Sequence, residues 1–473
     1  MKKIYNLFLV SLLLFAACKP GEFEDTNVDP TKVSSVPTKA LLTNSLQGLP
    51  GTAFGISSAL FYVQHASEGP YPGASLYATR NFNWDTFYTG PLYNLQKIIE
   101  FNTTGDKVAD PSINGSKDNQ IAVARILKAY YFWYLTDRYG DIPYAEALKG
   151  DANFSPKYSL QKDIYYDLFK ELKEAAAQIK TNEPGVVGDI LLDGDMAQWK
   201  KFANTTRMMM ALRLIKNDFA KGKTEFADAI AGGVISDNSE NMLYKYLAGD
   251  PNNYNPLYQN YSVDLRNDYA ISNTLVNYMN SKSDPRLPVY GEVLGGQVKG
   301  LPYGSDAAKN IPGAYSRIGD SFRGAGSPAT IYSYAQVLFS MAEGVKVGYI
   351  TGVEKTLYDD AIKASFEQNN VYSDANYLAY TTHPDVVYNP AKGLELIMTQ
   401  KWVSLYLNGY ESWADWKRTG FPVLVPAESG AQATIPRRQG YPVNEKSING
   451  KAYEAAIAIQ GADNLNTRMW WDK

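Results

Sequence analysis

The chain has 473 residues, of which 45% are hydrophobic and 20% are charged. This balance excludes a disordered chain, a collagen-like fibre and a polytopic membrane protein. The 46 basic and 49 acidic residues give a net charge of −3, so the basic excess of a nucleic-acid-binding protein is missing. With two histidines and one cysteine, a His/Cys metal cluster, a cysteine-nucleophile enzyme and a disulfide scaffold are nearly excluded. We predict no metal and no cofactor.

The first 18 residues have the pattern of a bacterial lipoprotein signal. Met1–Lys3 is positively charged, Ile4–Phe15 is mostly apolar, and Ala16 and Ala17 precede Cys18, the only cysteine of the chain. The apolar stretch is too short for a membrane span, which needs about 20 residues. We predict that residues 1–17 are a signal peptide and that Cys18 is lipidated and anchors the protein to the membrane. The alternative is an ordinary secretory signal.

Residues 18–40 have the composition of a flexible, lipidated tether. They are polar, they begin with an acidic run, and Pro30 and Pro37 would break any helix there. No comparable low-complexity linker follows. We therefore predict a single domain over residues 41–473.

Helical periodicity dominates this domain, so we predict a mainly α fold. Apolar residues recur at helical spacing after Ser159, which can cap one helix, and after Asp195, which can cap another. The clearest pair is Ile331–Val347 followed by Leu357–Phe366, which is typical of a tetratricopeptide-type repeat. Further predicted helices cover Ile121–Tyr139, Lys392–Tyr406 and Asn444–Gln460.

Two long irregular segments, 66–92 and 244–330, interrupt the helices and are rich in tyrosine, arginine, glycine and proline. Long loops within a compact domain are usually functional. The chain contains 36 Tyr against 18 Phe, and tyrosine combines an apolar face with a polar tip, which suits a recognition surface. We expect the ligand contacts in these two segments.

Eight motifs in order along the chain resemble the SusD/RagB family of outer-membrane nutrient-binding lipoproteins. The clearest is Arg138-Tyr139-Gly140-Asp141-Ile142-Pro143-Tyr144, at the end of an aromatic helix. The others are Phe154–Tyr158, Trp199–Asn204, Asp284–Leu287, Gln400–Trp402, Glu411–Gly420, Arg437–Pro442 and Trp470–Asp472. The resemblance extends from Cys18 to the last residues and is closest to the branch distinct from the starch-binding prototype.

The resemblance implies a right-handed superhelix of tetratricopeptide-like helix pairs with long ligand-binding loops. It implies a lipid-anchored protein on the surface of the outer membrane. Such a protein captures oligosaccharides or similar nutrients and delivers them to a SusC-type TonB-dependent transporter for import. The expected partners are that transporter, the glycan and the membrane, with no nucleic acid and no catalytic residue.

The position of an aromatic residue along the chain predicts whether it packs in the interior or binds the ligand. We assign the motif aromatics to packing, namely Tyr139, Trp199, Trp402, Trp413, Trp416, Trp470 and Trp471. Arg418 is expected to pair with Glu411 or Asp415. No motif identifies the family's ligand contacts, so the predicted ligand-binding residues come from the irregular segments: Tyr71, Tyr77, Arg80, Asn81, Trp84, Tyr254, Tyr258, Tyr261, Tyr303 and Arg323. Trp84 is equally compatible with packing.

Two alternative functions stay open from the sequence. A surface glycoside hydrolase needs only two carboxylates, and the chain has 49 acidic residues. A structural surface lipoprotein would bind no ligand at all. A histidine-dependent hydrolase is not expected, because neither His65 nor His383 lies near a serine nucleophile motif.

Overall fold

Helices form most of the structure, as the periodicity predicts. The computed structural model describes residues 36–104, 111–305, 311 and 313–473. The predicted signal peptide and Cys18 lie outside the described residues, as does most of the predicted tether. The first described helix begins at Thr38, just before the predicted start of the domain.

The helices of ten or more residues are α1 (Thr38–Gln47), α2 (Pro91–Thr104), α3 (Lys117–Tyr139), α4 (Gln161–Gln178), α5 (Met196–Leu212), α6 (Phe219–Ala231), α7 (Tyr334–Val347), α8 (Glu354–Gln368), α9 (Gly393–Ser404), α10 (Gly409–Thr419) and α11 (Gly450–Gln460). Shorter helices cover Pro50–Ala53, Ser58–Tyr62, Asp85–Thr89, Pro256–Tyr258, Asn273–Asn280, Leu287–Tyr290, Asp320–Arg323, Asp374–Thr381 and Glu445–Ile448. The strands are β1 (Ala66–Glu68), β2 (Ile142–Pro143), β3 (Tyr158–Ser159), β4 (Met242–Tyr244), β5 (Tyr269–Ile271) and β6 (Ala329–Tyr332).

The long helices pack in consecutive pairs: α1 on α2, α3 on α4, α5 on α6 and α7 on α8. Neighbouring pairs are joined through contacts of α2 with α3 and of α4 with α5, while α9 packs on α7. This succession of helix pairs is the predicted tetratricopeptide-like superhelix. The strands form only short ribbons, β1 with β5, β2 with β3 and β4 with β6.

Several predicted helix boundaries are confirmed and others are wrong. Asp195 caps α5, because its side chain accepts hydrogen bonds from the Ala197 and Gln198 amides at 2.8 and 3.1 Å. Ser159 does not cap α4. It lies in β3 opposite Ile142, and its hydroxyl accepts from the Ala145 amide at 3.2 Å.

Two other predicted helices are shorter than the periodicity suggests. The first residues of the predicted helix Ile331–Val347 belong to β6, which pairs with β4 before α7 begins at Tyr334. The predicted helix Asn444–Gln460 is divided at Asn449, whose backbone is not helical and whose side-chain amide donates to the Pro156 carbonyl at 2.9 Å. A contact with a distant segment therefore interrupts the local pattern.

A buried ion network joins the helices that carry the family-like motifs. Arg213, at the end of α5, contacts both oxygens of Glu411 at 2.6 and 3.1 Å and Asp137 at 3.2 Å. Asp415 pairs with Arg418 at 2.7 Å, as predicted, and with Lys401 at the same distance. The Arg418 guanidinium also contacts both oxygens of Glu343 on α7. These charges hold α3, α5, α7, α9 and α10 together, so their role is structural.

The motif aromatics pack as predicted. Trp199, Trp402, Trp413, Trp471 and Tyr139 are each at most 3% exposed, and Trp416 and Trp470 are half-buried. The Trp471 indole donates to Asp137 at 2.9 Å, which connects the end of the chain to the ion network.

Candidate ligand-binding site

The two irregular segments meet in space. Strand β1 pairs antiparallel with β5, with Ala66 opposite Ile271. Farther along, the hydroxyl of Tyr303 donates to that of Tyr77 at 3.2 Å, and the Tyr77 hydroxyl accepts from the Ala427 amide at 3.1 Å. The structure thus joins both predicted segments to a third one, near Ala427.

A polar cleft of about 550 Å³ opens beside this junction. It is lined by Tyr77, Arg80, Asn81, Ala431, Gln432, Pro442, Val443, Lys446, Tyr453, Asp463, Asn464, Leu465 and Asn466, and we call it the polar cleft. Its size is within the usual range for small-ligand sites. Three of the predicted residues, Tyr77, Arg80 and Asn81, lie in it together.

Backbone contacts fix the rim that carries Arg80 and Asn81. The Gly440 amide donates to the Arg80 carbonyl at 2.9 Å, and residues 81 and 440 form a parallel bridge. The Asn81 side-chain amide donates to the Tyr441 carbonyl at 2.7 Å. A Cβ atom on Gly440 would lie 2.6 Å from the Arg80 carbonyl oxygen, so this approach requires glycine. The rim is therefore rigid although both side chains are exposed.

Another part of the cleft wall is held by Asp463. Its carboxylate accepts from the Tyr441 amide at 3.1 Å and from the Tyr453 hydroxyl at 3.2 Å, and it lies 3.3 Å from the buried Arg438 guanidinium. Burial, with the Asp463 carboxylate nearby, raises the pKa of Tyr453 to about 12, so its hydroxyl stays protonated at neutral pH. Asp463 is thus committed to the structure of the wall.

Four amide groups of the cleft keep hydrogen-bonding capacity. The Asn464 Oδ1 atom accepts from the backbone amides of residues 466 and 467, and Asn466 Oδ1 accepts from the Thr434 hydroxyl. Gln432 donates to the Thr434 carbonyl at 2.7 Å. Within the described residues, this leaves the amide nitrogens of Asn464 and Asn466 as donors and the amide oxygens of Asn81 and Gln432 as acceptors. Such a set matches sugar hydroxyls, which both donate and accept.

The structure brings four other predicted residues together away from the polar cleft. The rings of Tyr254 and Tyr258 lie 5.1 Å apart, and the intervening Asn255 bonds to the carbonyl of Phe322, next to Arg323. We call Tyr254, Tyr258, Tyr261 and Arg323 the tyrosine loop cluster. Tyr261 is buried, and its hydroxyl donates to the Tyr269 carbonyl at 2.7 Å. Arg323 pairs with Glu292 at 3.3 Å.

The remaining predicted residues, Tyr71, Tyr303 and Trp84, neither line the polar cleft nor belong to the tyrosine loop cluster. Tyr71 is 67% exposed, with the Arg266 guanidinium 5.6 Å from its ring centroid. Tyr303 is half-buried against Tyr77. Trp84 is 3% exposed and packs against Tyr139, Tyr158 and Tyr441, which favours the packing interpretation of this residue.

Ten of the thirteen residues that line the polar cleft are not among the predicted ligand-binding residues. Gln432, Lys446, Tyr453 and the run Asp463–Asn466 lie in the last fifth of the chain, outside the two segments in which the sequence predicts ligand contacts. The run follows Gly461 and consists mostly of turn-forming polar residues. That composition is a loop signal which could have drawn attention to it.

Other cavities fit a sugar less well or lie apart from the predicted residues. An internal cavity of about 40 Å³ near Arg213 and Glu411 has room for a few waters only. A groove of about 560 Å³ runs along Thr43, Gln47, Asp189 and Leu247. In the part of the chain that the structure describes, no helix has the length and apolar character to cross a bilayer. The same residues contain no group of three or more His, Cys, Asp or Glu side chains arranged for a metal ion.

Comparisons with known proteins agree with this architecture. The family described as starch-binding and associating with the outer membrane matches residues 30–442. A chitin-binding protein of known structure is 27% identical, with a TM-score of 0.78 over 92% of this chain and 99% of its own. A SusD homologue from Bacteroides fragilis is 25% identical, with a TM-score of 0.78 over 93% of this chain and 100% of its own.

A chitin-binding SusD homologue from Flavobacterium johnsoniae is 25% identical, with a TM-score of 0.75 over 92% of this chain and 98% of its own. Among curated proteins, none matches the chain. Because the family match spans most of the sequence, the chain belongs to the SusD-like family described as starch-binding and associating with the outer membrane.

Proposed function

We propose that this protein is a cell-surface lipoprotein that captures oligosaccharides and delivers them to a SusC-type TonB-dependent transporter. The observation that carries the proposal is the polar cleft, where a rigid rim and wall present unused amide donors and acceptors. The family description and the chitin-binding relatives support a glycan as the ligand.

The carboxyl groups at the cleft favour binding over hydrolysis. Glycosidases use a pair of carboxyl groups that flank the scissile bond, usually about 5–10 Å apart. Asp463 is the one carboxylate among the described residues that line the cleft; it accepts hydrogen bonds from Tyr441 and Tyr453 and forms an ion pair with Arg438. We therefore propose capture without chemistry.

Glycan binding is tested by calorimetric titration of the protein with a panel of oligosaccharides. The variant pair Asn464→Ala and Gln432→Ala removes one free donor and one free acceptor from the cleft. We expect dissociation constants in the micromolar to millimolar range for the wild-type protein and weaker binding for the double variant. Absence of binding to every member of the panel would favour the structural lipoprotein.

Anchoring and delivery are tested in the native outer membrane. We expect the acylated protein to co-purify in mild detergent with a large TonB-dependent barrel. The Cys18→Ser variant, which lacks the acceptor for the lipid, should leave the membrane fraction. Recovery of the acylated protein alone would contradict the transporter partnership.

A further inference from the structure

We infer that the polar cleft selects anionic oligosaccharides, whose sugars carry carboxylate or sulfate groups, over neutral ones. The inference rests on the proposed function and concerns the same cleft. It follows from the charges that line the cleft, from the way its one carboxylate is used, and from the position of its aromatic rings.

The charges at the cleft do not cancel. Its lining contains two cationic side chains, Arg80 and Lys446, and one carboxylate, Asp463. Asp463 is matched by the buried Arg438, whose guanidinium lies 3.3 Å away and is 0% exposed. The Asp463–Arg438 pair is neutral, so Arg80 and Lys446 give the cleft an excess positive charge on a chain whose net charge is −3.

Neither of these two cations has an acidic partner within the described residues. Arg80 is exposed, and its guanidinium makes no ion pair or hydrogen bond there. Lys446 is exposed as well, and its ammonium lies 5.4 Å from the centroid of the Tyr453 ring. By contrast, Arg317 and Arg323 in the tyrosine loop cluster region are both paired with Glu292. The cleft therefore presents two cations that a ligand could neutralise.

Aromatic stacking cannot take the place of charge in this cleft. Neutral glycans are held largely through aromatic faces that cover the apolar face of a sugar ring. The aromatic residues that line the cleft are Tyr77 and Tyr453, which are 1% and 4% exposed. Both are covered by the protein, so neither offers an open face. Recognition here depends on hydrogen bonds and charge.

The chemistry of the two cations suits acidic sugars. A guanidinium presents parallel N–H donors that match the two oxygens of a carboxylate or sulfate, and an ammonium contributes a point charge. The free amides of Asn81, Gln432, Asn464 and Asn466 remain available for the hydroxyls. The local charge also raises the concentration of an anionic ligand near the cleft, an effect that salt screens.

Matched ligands test this inference by titration of the full-length protein. The set contains an oligogalacturonide, the same oligosaccharide as its methyl ester, a sulfated heparin oligosaccharide and a neutral chito-oligosaccharide. We expect the oligogalacturonide or the heparin oligosaccharide to bind at least about tenfold more tightly than the neutral compounds at low salt. The oligogalacturonide carries carboxylates only and the heparin oligosaccharide carries both carboxylates and sulfates, so preference for heparin alone would indicate recognition of sulfate. Raising the salt concentration should reduce the advantage.

Variants assign this preference to the cleft. The double variant Arg80→Gln, Lys446→Gln should lose about 10- to 100-fold in affinity for the anionic ligand and little for the neutral ones. Lys451→Gln, an exposed change on α11 outside the cleft lining, is the matched control and should bind like the wild type. Thermal denaturation verifies that the variants fold.

Each outcome separates this inference from the proposed function. The anionic preference is overturned, and glycan capture left intact, if neither the oligogalacturonide nor the heparin oligosaccharide binds more tightly than the methyl ester and the chito-oligosaccharide. An anionic preference that survives the double variant overturns its assignment to the polar cleft. Failure of every oligosaccharide to bind overturns the proposed function itself.

Discussion

Gly409 lies so close to Leu60 that a Cβ atom on residue 409 would be 2.3 Å from the Leu60 amide nitrogen. Residue 409 begins α10, and Leu60 belongs to the short helix Ser58–Tyr62 that leads into β1. Because the obstructing atoms are backbone, no side-chain rotation can relieve the contact. This approach of α10 to Ser58–Tyr62 places the helical scaffold directly beside the segment that forms the ligand-binding junction.

The first prediction concerns this contact. Gly409→Ala should destabilise the protein by roughly 1–3 kcal/mol, because the added methyl group forces the two helices apart. Gly51→Ala is the control, since Gly51 is also helical and nothing lies within 4 Å of its added Cβ. The control should be neutral or slightly stabilising. Chemical denaturation measures both, and equal stabilities would contradict the close approach.

The second prediction concerns the buried ion network. Arg213→Met leaves Glu411 and Asp137 buried without their cation, and should lower the free energy of unfolding by roughly 3–5 kcal/mol. Lys173→Met is the matched control, because the Lys173–Asp228 contact of 2.9 Å lies within the range of the Arg213 contacts while its side chains are 59% and 44% exposed. Its loss should cost less than about 1 kcal/mol. A small effect of Arg213→Met would show that the network is dispensable.

The third prediction concerns His65 and acid. Burial lowers the pKa of His65 to about 3 from its usual value of 6.5. Its Nε2 atom donates to the Trp402 carbonyl at 2.9 Å, and its Nδ1 atom has no partner among the described residues. The unfolded chain takes up a proton near pH 6.5 and the folded one only near pH 3. The stability that neutral His65 permits is therefore present above pH 6.5 and is lost as the pH falls towards 3.

His65→Gln tests this sign. Between pH 7 and pH 4, the wild type should lose roughly 3 kcal/mol more than the variant, which has no group to protonate there. Denaturant titrations at several pH values give the two curves. Parallel curves would mean that His65 does not control the acid response.

The fourth prediction separates the polar cleft from the tyrosine loop cluster. Asn464→Ala with Gln432→Ala should weaken glycan binding about tenfold, whereas Tyr254→Ala with Tyr258→Ala should leave binding at the cleft unchanged. Thermal denaturation verifies that both double variants are folded at the temperature of the titration. If the tyrosine pair alone lowers the affinity, the tyrosine loop cluster is the binding site.

The fifth prediction concerns Trp84 and tests whether this residue packs in the interior or contacts the ligand. Because Trp84 is 3% exposed and surrounded by tyrosines, Trp84→Ala should cost roughly 3–5 kcal/mol of stability. Any change in affinity should disappear at temperatures where the variant is fully folded. Full stability together with lost binding would instead support a ligand contact at Trp84.

The fold could be predicted from local patterns, because the spacing of apolar residues and the capping residues of a helix are visible in the sequence. Asp195 shows this, since its carboxylate accepts from the amides two and three positions later, those of Ala197 and Gln198. Ser159 shows the limit of local prediction. The sequence around it is compatible with a helix cap and with a strand, and only the pairing with Ile142 decides between them. The division of the last helix at Asn449 likewise depends on a contact with Pro156.

The site could be predicted only in part, because its halves are far apart in the chain. The composition of their loop predicts Arg80 and Asn81 as ligand-binding residues. Their support comes from Gly440 and Tyr441, 360 positions away in the case of the Asn81–Tyr441 hydrogen bond, and no local signal reveals it. The burial of a loop residue cannot be predicted from the sequence either. Tyr261 is buried and Tyr71 is exposed, although both lie in irregular segments of similar composition.

Ligand binding in the polar cleft is tested by a crystal structure of the protein with the oligosaccharide that binds most tightly in titration. We predict that the sugar lies in the polar cleft, in contact with Arg80, Asn81, Asn464 and Asn466. A sugar in the tyrosine loop cluster, or in the groove along Thr43 and Asp189, would contradict it.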